Sequence, residues 1–60
     1  MIGFKYTIVV VKHRSGEDVH YECETIEDVG PKMIDLLSVG AIEAYDRVSI
    51  LNNETGETIA

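Results

Sequence analysis

The sequence has no tryptophan, one proline and one cysteine among its 60 residues. A lone cysteine excludes an intramolecular disulfide framework and suits a reducing compartment, so we expect a cytoplasmic protein. Its longest unbroken apolar run, residues 8–11, is too short to cross a bilayer, and residues 1–5 lack the pattern of a signal peptide. The length leaves room for one domain over residues 1–60, which excludes a multidomain enzyme.

Basic residues are also scarce. Five Lys and Arg stand against eleven Asp and Glu, which gives a formal net charge of −6. This balance opposes binding to a phosphate backbone, so we expect no nucleic-acid partner, and no feature indicates a membrane partner. The 45% hydrophobic content is enough for a core and excludes a disordered chain. A domain of this length buries only about 60% of its unfolded surface, which favours self-association.

Two strands joined by a hairpin are predicted at the start of the chain. Residues 4–12 are rich in β-branched and aromatic side chains, whereas residues 17–25 alternate between apolar and charged ones. If Ser15 and Gly16 form a two-residue turn, Val10 faces Tyr21 across the hairpin. The same register predicts the residues on the core face: Phe4, Tyr6, Ile8, Val10, Val19, Tyr21 and Cys23.

A helix follows. Thr25-Ile26-Glu27-Asp28 has the form of a capping box, in which the Thr25 side chain accepts from the amide of Asp28. Gly30-Pro31 leaves two alternatives: a helix kinked at the proline, or a first turn followed by a main helix that begins at Pro31, which we favour slightly. Gly40 is the expected C-terminal stop. One helical stripe carries Val29, Met33, Leu36 and Leu37.

The remaining residues predict two more strands. Residues 45–51 form a third strand with Val48 and Ile50 facing the helix, and residues 57–60 form a fourth that carries Ile59. The turn between them places Gly56 in a left-handed conformation. We expect strand three beside strand one and parallel to it. The predicted fold is therefore α+β in ββαββ order, with one helix on one face of a mixed four-stranded sheet of order 2-1-3-4.

Several segments resemble a known family. A hairpin followed by Thr25-Ile26-Glu27-Asp28-Val29 and Lys32-Met33-Ile34-Asp35, and then by Arg47-Val48-Ser49-Ile50-Leu51, is similar to the front part of ubiquitin-like β-grasp domains. The resemblance implies the hairpin, helix and strand order and a docking role. Thr58-Ile59-Ala60 lacks the terminal diglycine that conjugating and sulfur-carrying members need, so neither of those activities is implied.

No chemical site is predicted. His20 and Cys23 point to opposite faces of a strand, and His13 lies at the distant hairpin end, so these residues offer no metal site. Ser15 near His13 lies in a turn without oxyanion donors, and the glycine spacing fits no phosphate-binding loop. We therefore expect a protein that is not an enzyme, with no catalytic residue, metal or cofactor, and with Cys23 in the core.

The most distinctive surface feature is acidic. Twelve residues, 17–28, contain six carboxylates and no Lys or Arg. One face of strand two carries Asp18, His20, Glu22 and Glu24. A charged edge strand prevents aggregation between sheets, which is one explanation. The other is a negative stripe that docks into a basic groove of another protein, including mimicry of nucleic acid.

Strand one adds an apolar centre beside this stripe. In the predicted register Val11 lies beside His20 and Val9 beside Glu22, and both valines are exposed unless long side chains cover them. We therefore predict a protein–protein interaction module, an adaptor or small inhibitor, whose partner is another protein. A homodimer through the same face is the alternative. The predicted partner-binding residues are Val9, Val11, Asp18, His20, Glu22 and Glu24.

Overall fold

The computed structural model describes residues 4–59, which form one helix and four strands in the order ββαββ. The elements are β1 (Tyr6–Val11), β2 (Asp18–Cys23), α1 (Ile26–Ser38), β3 (Arg47–Asn52) and β4 (Glu57–Thr58). The order of elements is confirmed. The fourth strand is shorter than the predicted range of residues 57–60. The last residue of that range, Ala60, lies outside the described residues.

The sheet has the predicted strand order, β2-β1-β3-β4, but it is antiparallel throughout and not mixed. The expectation that strand three runs parallel to strand one is wrong. A crossover through a helix makes β3 parallel to β2, and β1 already runs opposite to β2 because they form a hairpin. With β1 between them, β3 must be antiparallel to β1.

The first hairpin differs from its predicted register by two residues. Ile8 pairs with Tyr21 and Val10 with Val19, because the connection is a four-residue loop and not a two-residue turn. Gly16 closes this loop: its φ is +74°, and its N–H donates to the Lys12 carbonyl at 2.8 Å. A shift of two residues keeps every side chain on its face, so the apolar pattern could not reveal the error.

The β3–β4 hairpin repeats this loop. Gly56, at φ +78°, donates its N–H to the Asn52 carbonyl at 2.7 Å, which confirms the left-handed glycine predicted there. In both loops a hydroxyl precedes the glycine and accepts from the following glutamate amide, Ser15 from Glu17 and Thr55 from Glu57. The two hairpins therefore have the same loop structure and the same loop hydrogen bonds, although their strands differ.

The helix is continuous through Pro31, which contradicts the favoured alternative of a main helix beginning at that residue. Gly30 has no Cβ to clash with the proline ring, so the usual restriction on the preceding residue is relaxed. The Thr25 side chain makes no cap; the amide of Asp28 donates to the Thr25 backbone carbonyl instead. Gly40 ends the helix as predicted.

The core lies between α1 and the first two strands. Ile8 and Val10 are fully buried, and the other buried apolar residues are Cys23, Val29, Leu36 and Ile42. Because α1 packs on β1 and β2 and not on β3 or β4, Val48 and Ile50 are only half-buried. Leu37, predicted on the core stripe, is 55% exposed. Within residues 4–59, no helix has both the length and the apolarity needed to cross a bilayer.

Candidate binding surface

The open face is the face of the sheet opposite α1. The strand register places three rows across it, in the order β2, β1, β3: Asp18–Val11–Arg47, His20–Val9–Ser49 and Glu22–Thr7–Leu51. Five of the six predicted partner-binding residues therefore share this face, and Glu24 follows directly after β2. Their neighbours differ from the prediction, because Val9 lies beside His20 and Val11 beside Asp18.

The apolar centre of the open face is less exposed than expected. Val9 and Val11 are half-buried, although no element of the described chain packs on this face. Thr7 is buried, and its hydroxyl accepts from Asn53 Nδ2 at 2.9 Å. The Asn53 side chain thus lies over Thr7 at one end of the face, and Val9, Val11 and the half-buried Leu51 are its apolar residues.

The acidic edge is formed by Asp18, Glu22 and Glu24. The first two lie on β2, an edge strand of the sheet, and Glu24 follows directly after it. All three residues are exposed, and none forms an ion pair with another residue in the range 4–59. His20 is exposed between them. Their charges are therefore not neutralised within this part of the chain, and they remain available to a partner of opposite charge.

A shallow groove runs between this edge and α1. Its lining contains four carboxylates, one ammonium group and three apolar or weakly polar residues: Glu22, Glu24, Asp28, Asp35, Lys32, Phe4, Cys23 and Pro31. Lys32 Nζ lies 5.9 Å from the centre of the Tyr21 ring, beside the groove. The acidic character of β2 thus continues onto the helix, through Asp28, which belongs to the acidic run predicted at residues 17–28, and through Asp35, which lies outside that run.

Cys23 lies in the core, as predicted, and also lines the groove. Burial raises the pKa of its thiol, and the nearby Asp28 carboxylate acts in the same direction. Nucleophilic chemistry and metal binding both require the thiolate, so this environment disfavours both. The exposed His20 is on the open face and Cys23 on the helix face, so the two residues do not converge.

The Asp46 cluster, formed by Lys12, His13, Glu43 and Asp46, was missed by sequence reasoning. The fully covered Asp46 carboxylate accepts from Lys12 Nζ at 2.5 Å and from the backbone N–H groups of His13 at 3.0 Å and Glu43 at 2.9 Å. His13 Nδ1 lies 2.6 Å from Asp46 Oδ1. The cluster therefore fastens the end of β1 to the connection between α1 and β3.

These contacts set the ionisation of the cluster. The hydrogen bond from Lys12, with those from His13, holds the pKa of Asp46 well below its usual range. The same Asp46 hydrogen bond raises the pKa of Lys12 above its ordinary value. The Asp46 carboxylate and the Lys12 ammonium group are thus held as an ion pair over the whole physiological range of pH.

The Asp46 cluster has the residue types of a metal site but not the arrangement. Ligand atoms of His13, Glu43 and Asp46 lie within 4.8 Å of one another. The Lys12 ammonium group, however, already sits against Asp46, and its positive charge repels a cation at that position. Both Asp46 oxygens also accept from backbone amides. The geometry therefore fits a structural role, in which Asp46 holds the end of β1 against the connection between α1 and β3, rather than metal coordination.

Comparison with known proteins adds no family. No protein-family model, no curated protein and no solved structure matches this chain. The similarity to ubiquitin-like domains therefore stays a prediction, and the function is argued from the surface of the molecule.

Proposed function

We propose that this chain is a non-enzymatic protein-binding module of the cytoplasm, an adaptor or small inhibitor that docks through the acidic edge and the open face. One observation carries the proposal: the exposed carboxylates of Asp18, Glu22 and Glu24, which have no ion-pair partner within the described residues, border a sheet face on which no described element packs. A basic surface on another protein complements this combination of charge and apolar centre.

The two parts of the surface have different physical roles. Carboxylates at the border attract a basic partner over several ångströms and accelerate encounter, an effect that salt screens. The half-buried Val9 and Val11 offer the apolar contact from which affinity is gained once water is excluded. Binding should therefore weaken as ionic strength rises, and it should require both the edge and the centre.

Affinity capture with a charge-reversed control tests the proposal. The intact chain and a Glu22→Lys, Glu24→Lys variant are used as baits in nuclease-treated lysate of the source organism. A Glu54→Lys, Glu57→Lys variant carries the same change in net charge on the far β3–β4 hairpin. We expect one protein to be captured by the intact chain and by the hairpin variant, and lost with the edge variant. Equal capture by all three baits would exclude the acidic edge as the docking surface.

The same capture separates the nucleic-acid mimic from a general adaptor. If the captured protein binds DNA or RNA, a nucleic-acid oligonucleotide should displace it from the bait. An adaptor that docks elsewhere on its partner would be unaffected by the oligonucleotide.

A homodimer is the second candidate, and a different apolar surface favours it. On the flank of α1 turned away from β2, Ile26 is 49% and Leu37 55% exposed, and Ile59 at the end of β4 is 50% exposed. Val48 and Ile50 lie half-buried on the same side of the sheet. Sedimentation of Val9→Glu and Leu37→Glu variants distinguishes the two faces, because only the variant in the dimer interface becomes monomeric. An intact chain that sediments as a monomer would exclude both.

A further inference from the structure

The outer edge of β2 has backbone groups free to pair. Lys12 N–H donates to the Glu17 carbonyl, which fixes which residues exchange hydrogen bonds with β1. Bonded pairs alternate along an antiparallel ladder, so Val19 and Tyr21 are bonded to β1, whereas the N–H and C=O groups of the residues between them point away from it. The outward residues are Asp18, His20 and Glu22. No strand within residues 4–59 pairs with this edge.

The same three residues direct their side chains to the open face. In a strand added at this edge, each residue directly opposite Asp18, His20 or Glu22 would have its side chain on that face as well. A Lys or Arg at those positions would lie beside the carboxylates of Asp18 and Glu22. The intervening residues would point to the helix side, toward the half-buried Tyr21 and the groove where Phe4 is 50% exposed.

Charge disfavours a second copy of this chain that pairs symmetrically about His20. An antiparallel pairing of two β2 strands centred on His20 would set Asp18 of one copy against Glu22 of the other, on both sides of the centre. Like charges directly opposite across two strands are destabilising. In this register the edge repels its own copy, whereas it is complementary to a basic strand.

We propose that β2 binds its partner by strand addition: an extended segment with Lys or Arg at alternate positions and apolar residues between them joins the outer edge of β2 as a fifth strand. This inference rests on the proposed function and specifies how the docking takes place. Main-chain hydrogen bonds to Asp18, His20 and Glu22 would supply affinity, and the alternating side chains would supply specificity.

A peptide with blocked amides tests the mode directly. The probe is a seven-residue peptide that begins and ends with lysine and alternates lysine with threonine or valine, so that it carries four lysines. In an antiparallel addition, the orientation tested, these lysines lie opposite Asp18, His20 and Glu22 and carry the amides that would face β2. One version is therefore N-methylated on the amides of its two central lysines. A matched version is N-methylated on two of the intervening residues, whose amides would face away. Both versions keep the charge and the number of methyl groups.

Strand addition predicts that methylation of the lysine amides weakens binding about tenfold or more, while methylation of the outward amides leaves it nearly unchanged. Hydrogen exchange followed by NMR should show new protection at the amides of Asp18, His20 and Glu22 when the unmodified peptide binds. An Asp18→Lys, Glu22→Lys variant should not bind the peptide, whereas the Glu54→Lys, Glu57→Lys variant should bind it normally.

The possible results separate this inference from the proposed function. If both methylated peptides bind equally and only charge reversal abolishes binding, the edge docks by charge alone, so strand addition is wrong and the docking role stands. If no peptide binds while capture still depends on Glu22 and Glu24, strand addition is again excluded. If neither peptide nor lysate protein depends on the edge, both proposals fail.

Discussion

Asp46 is the residue whose side chain is most constrained by its contacts. It joins Lys12, His13 and Glu43 through one covered carboxylate, and Lys12 and His13 lie more than thirty positions before it in the chain, with β2 and α1 between. A carboxylate can accept all of these bonds because both of its oxygens are acceptors. Asparagine, which has the same shape, cannot do so, because its amide has only one acceptor oxygen.

Asp46→Asn should therefore lower the Tm clearly, although it preserves shape. An amide has one acceptor oxygen and one donor nitrogen, so its NH₂ group would face either Lys12 Nζ or a backbone N–H, donor against donor. Thermal unfolding followed by circular dichroism measures the effect. Asp35→Asn on the exposed side of α1 is the control and should leave the Tm nearly unchanged. Similar Tm values for both variants would show that the Asp46 cluster does not stabilise the fold.

The lowered pKa of Asp46 also predicts a pH dependence. A carboxyl whose pKa is lower in the folded than in the unfolded state stabilises fully above its unfolded pKa, and this contribution is lost as the pH falls through the folded pKa. The Tm of the intact chain should fall as the pH is lowered from about 5, through the ordinary aspartate range. In Asp46→Asn this part of the slope should be absent, so the two curves should converge at low pH. Parallel curves would contradict the assignment.

At the scale of elements, Gly40 and Pro31 act on α1 in opposite ways through the hydrogen bonds of the backbone. At its C-terminus, Gly40 has φ +80°, Gly40 N–H donates to the Leu37 carbonyl and Ala41 N–H to that of Leu36. This is the Schellman arrangement, which satisfies two carbonyls that the helix leaves free. Pro31 inside the helix does the opposite, because it has no N–H for the carbonyl one turn earlier.

Gly40→Ala and Pro31→Ala should consequently change stability in opposite directions. An alanine at positive φ should cost about 1–2 kcal/mol. Alanine in place of Pro31 restores a helical hydrogen bond and should stabilise by roughly 1–2 kcal/mol, after the proline's benefit in the unfolded chain is subtracted. Urea unfolding of the two variants measures both changes. A Pro31→Ala variant less stable than the native chain would mean that the proline packs favourably in the groove.

How far the sequence predicted these elements depends on the range of the contacts that define them. Alternation and glycine placement predicted the four strands, the helix stop at Gly40 and the left-handed Gly56, because each depends on neighbouring residues. The hairpin register was wrong, since a slip of two leaves the faces of the β1 side chains unchanged. The acidic face of β2 was predicted from alternation, but Asp28 and Asp35 joined it only through helix packing. Asp46 gave no local signal of its link to β1.

The whole molecule has little stability to lose. A domain of this length is expected to have roughly 3–9 kcal/mol of unfolding free energy. Within residues 4–59, Ile8 and Val10 are the only large side chains that are fully buried. Its stability therefore depends heavily on the centre of β1, which is paired on both sides.

Ile8→Ala should therefore remove a large share of this stability, since truncation of a buried isoleucine costs about 2–5 kcal/mol. Ile8→Val should cost only about 0.5–1.5 kcal/mol and keep the fold. Urea denaturation and one-dimensional NMR of both variants provide the comparison. An Ile8→Ala chain as stable as Ile8→Val would show that burial elsewhere, such as at a dimer interface, supplies much of the stability.

The buried Cys23 has a practical consequence for work with this molecule. Its thiol is covered and has a raised pKa, so it should react slowly with maleimides. A cysteine introduced on the surface could therefore be labelled while Cys23 stays unmodified. Strand order puts the β3–β4 loop at the edge farthest from β2, about three strand spacings or roughly 14 Å away. A single Glu54→Cys handle would then carry a fluorophore or a surface tether at one edge while the other edge faces solution unobstructed.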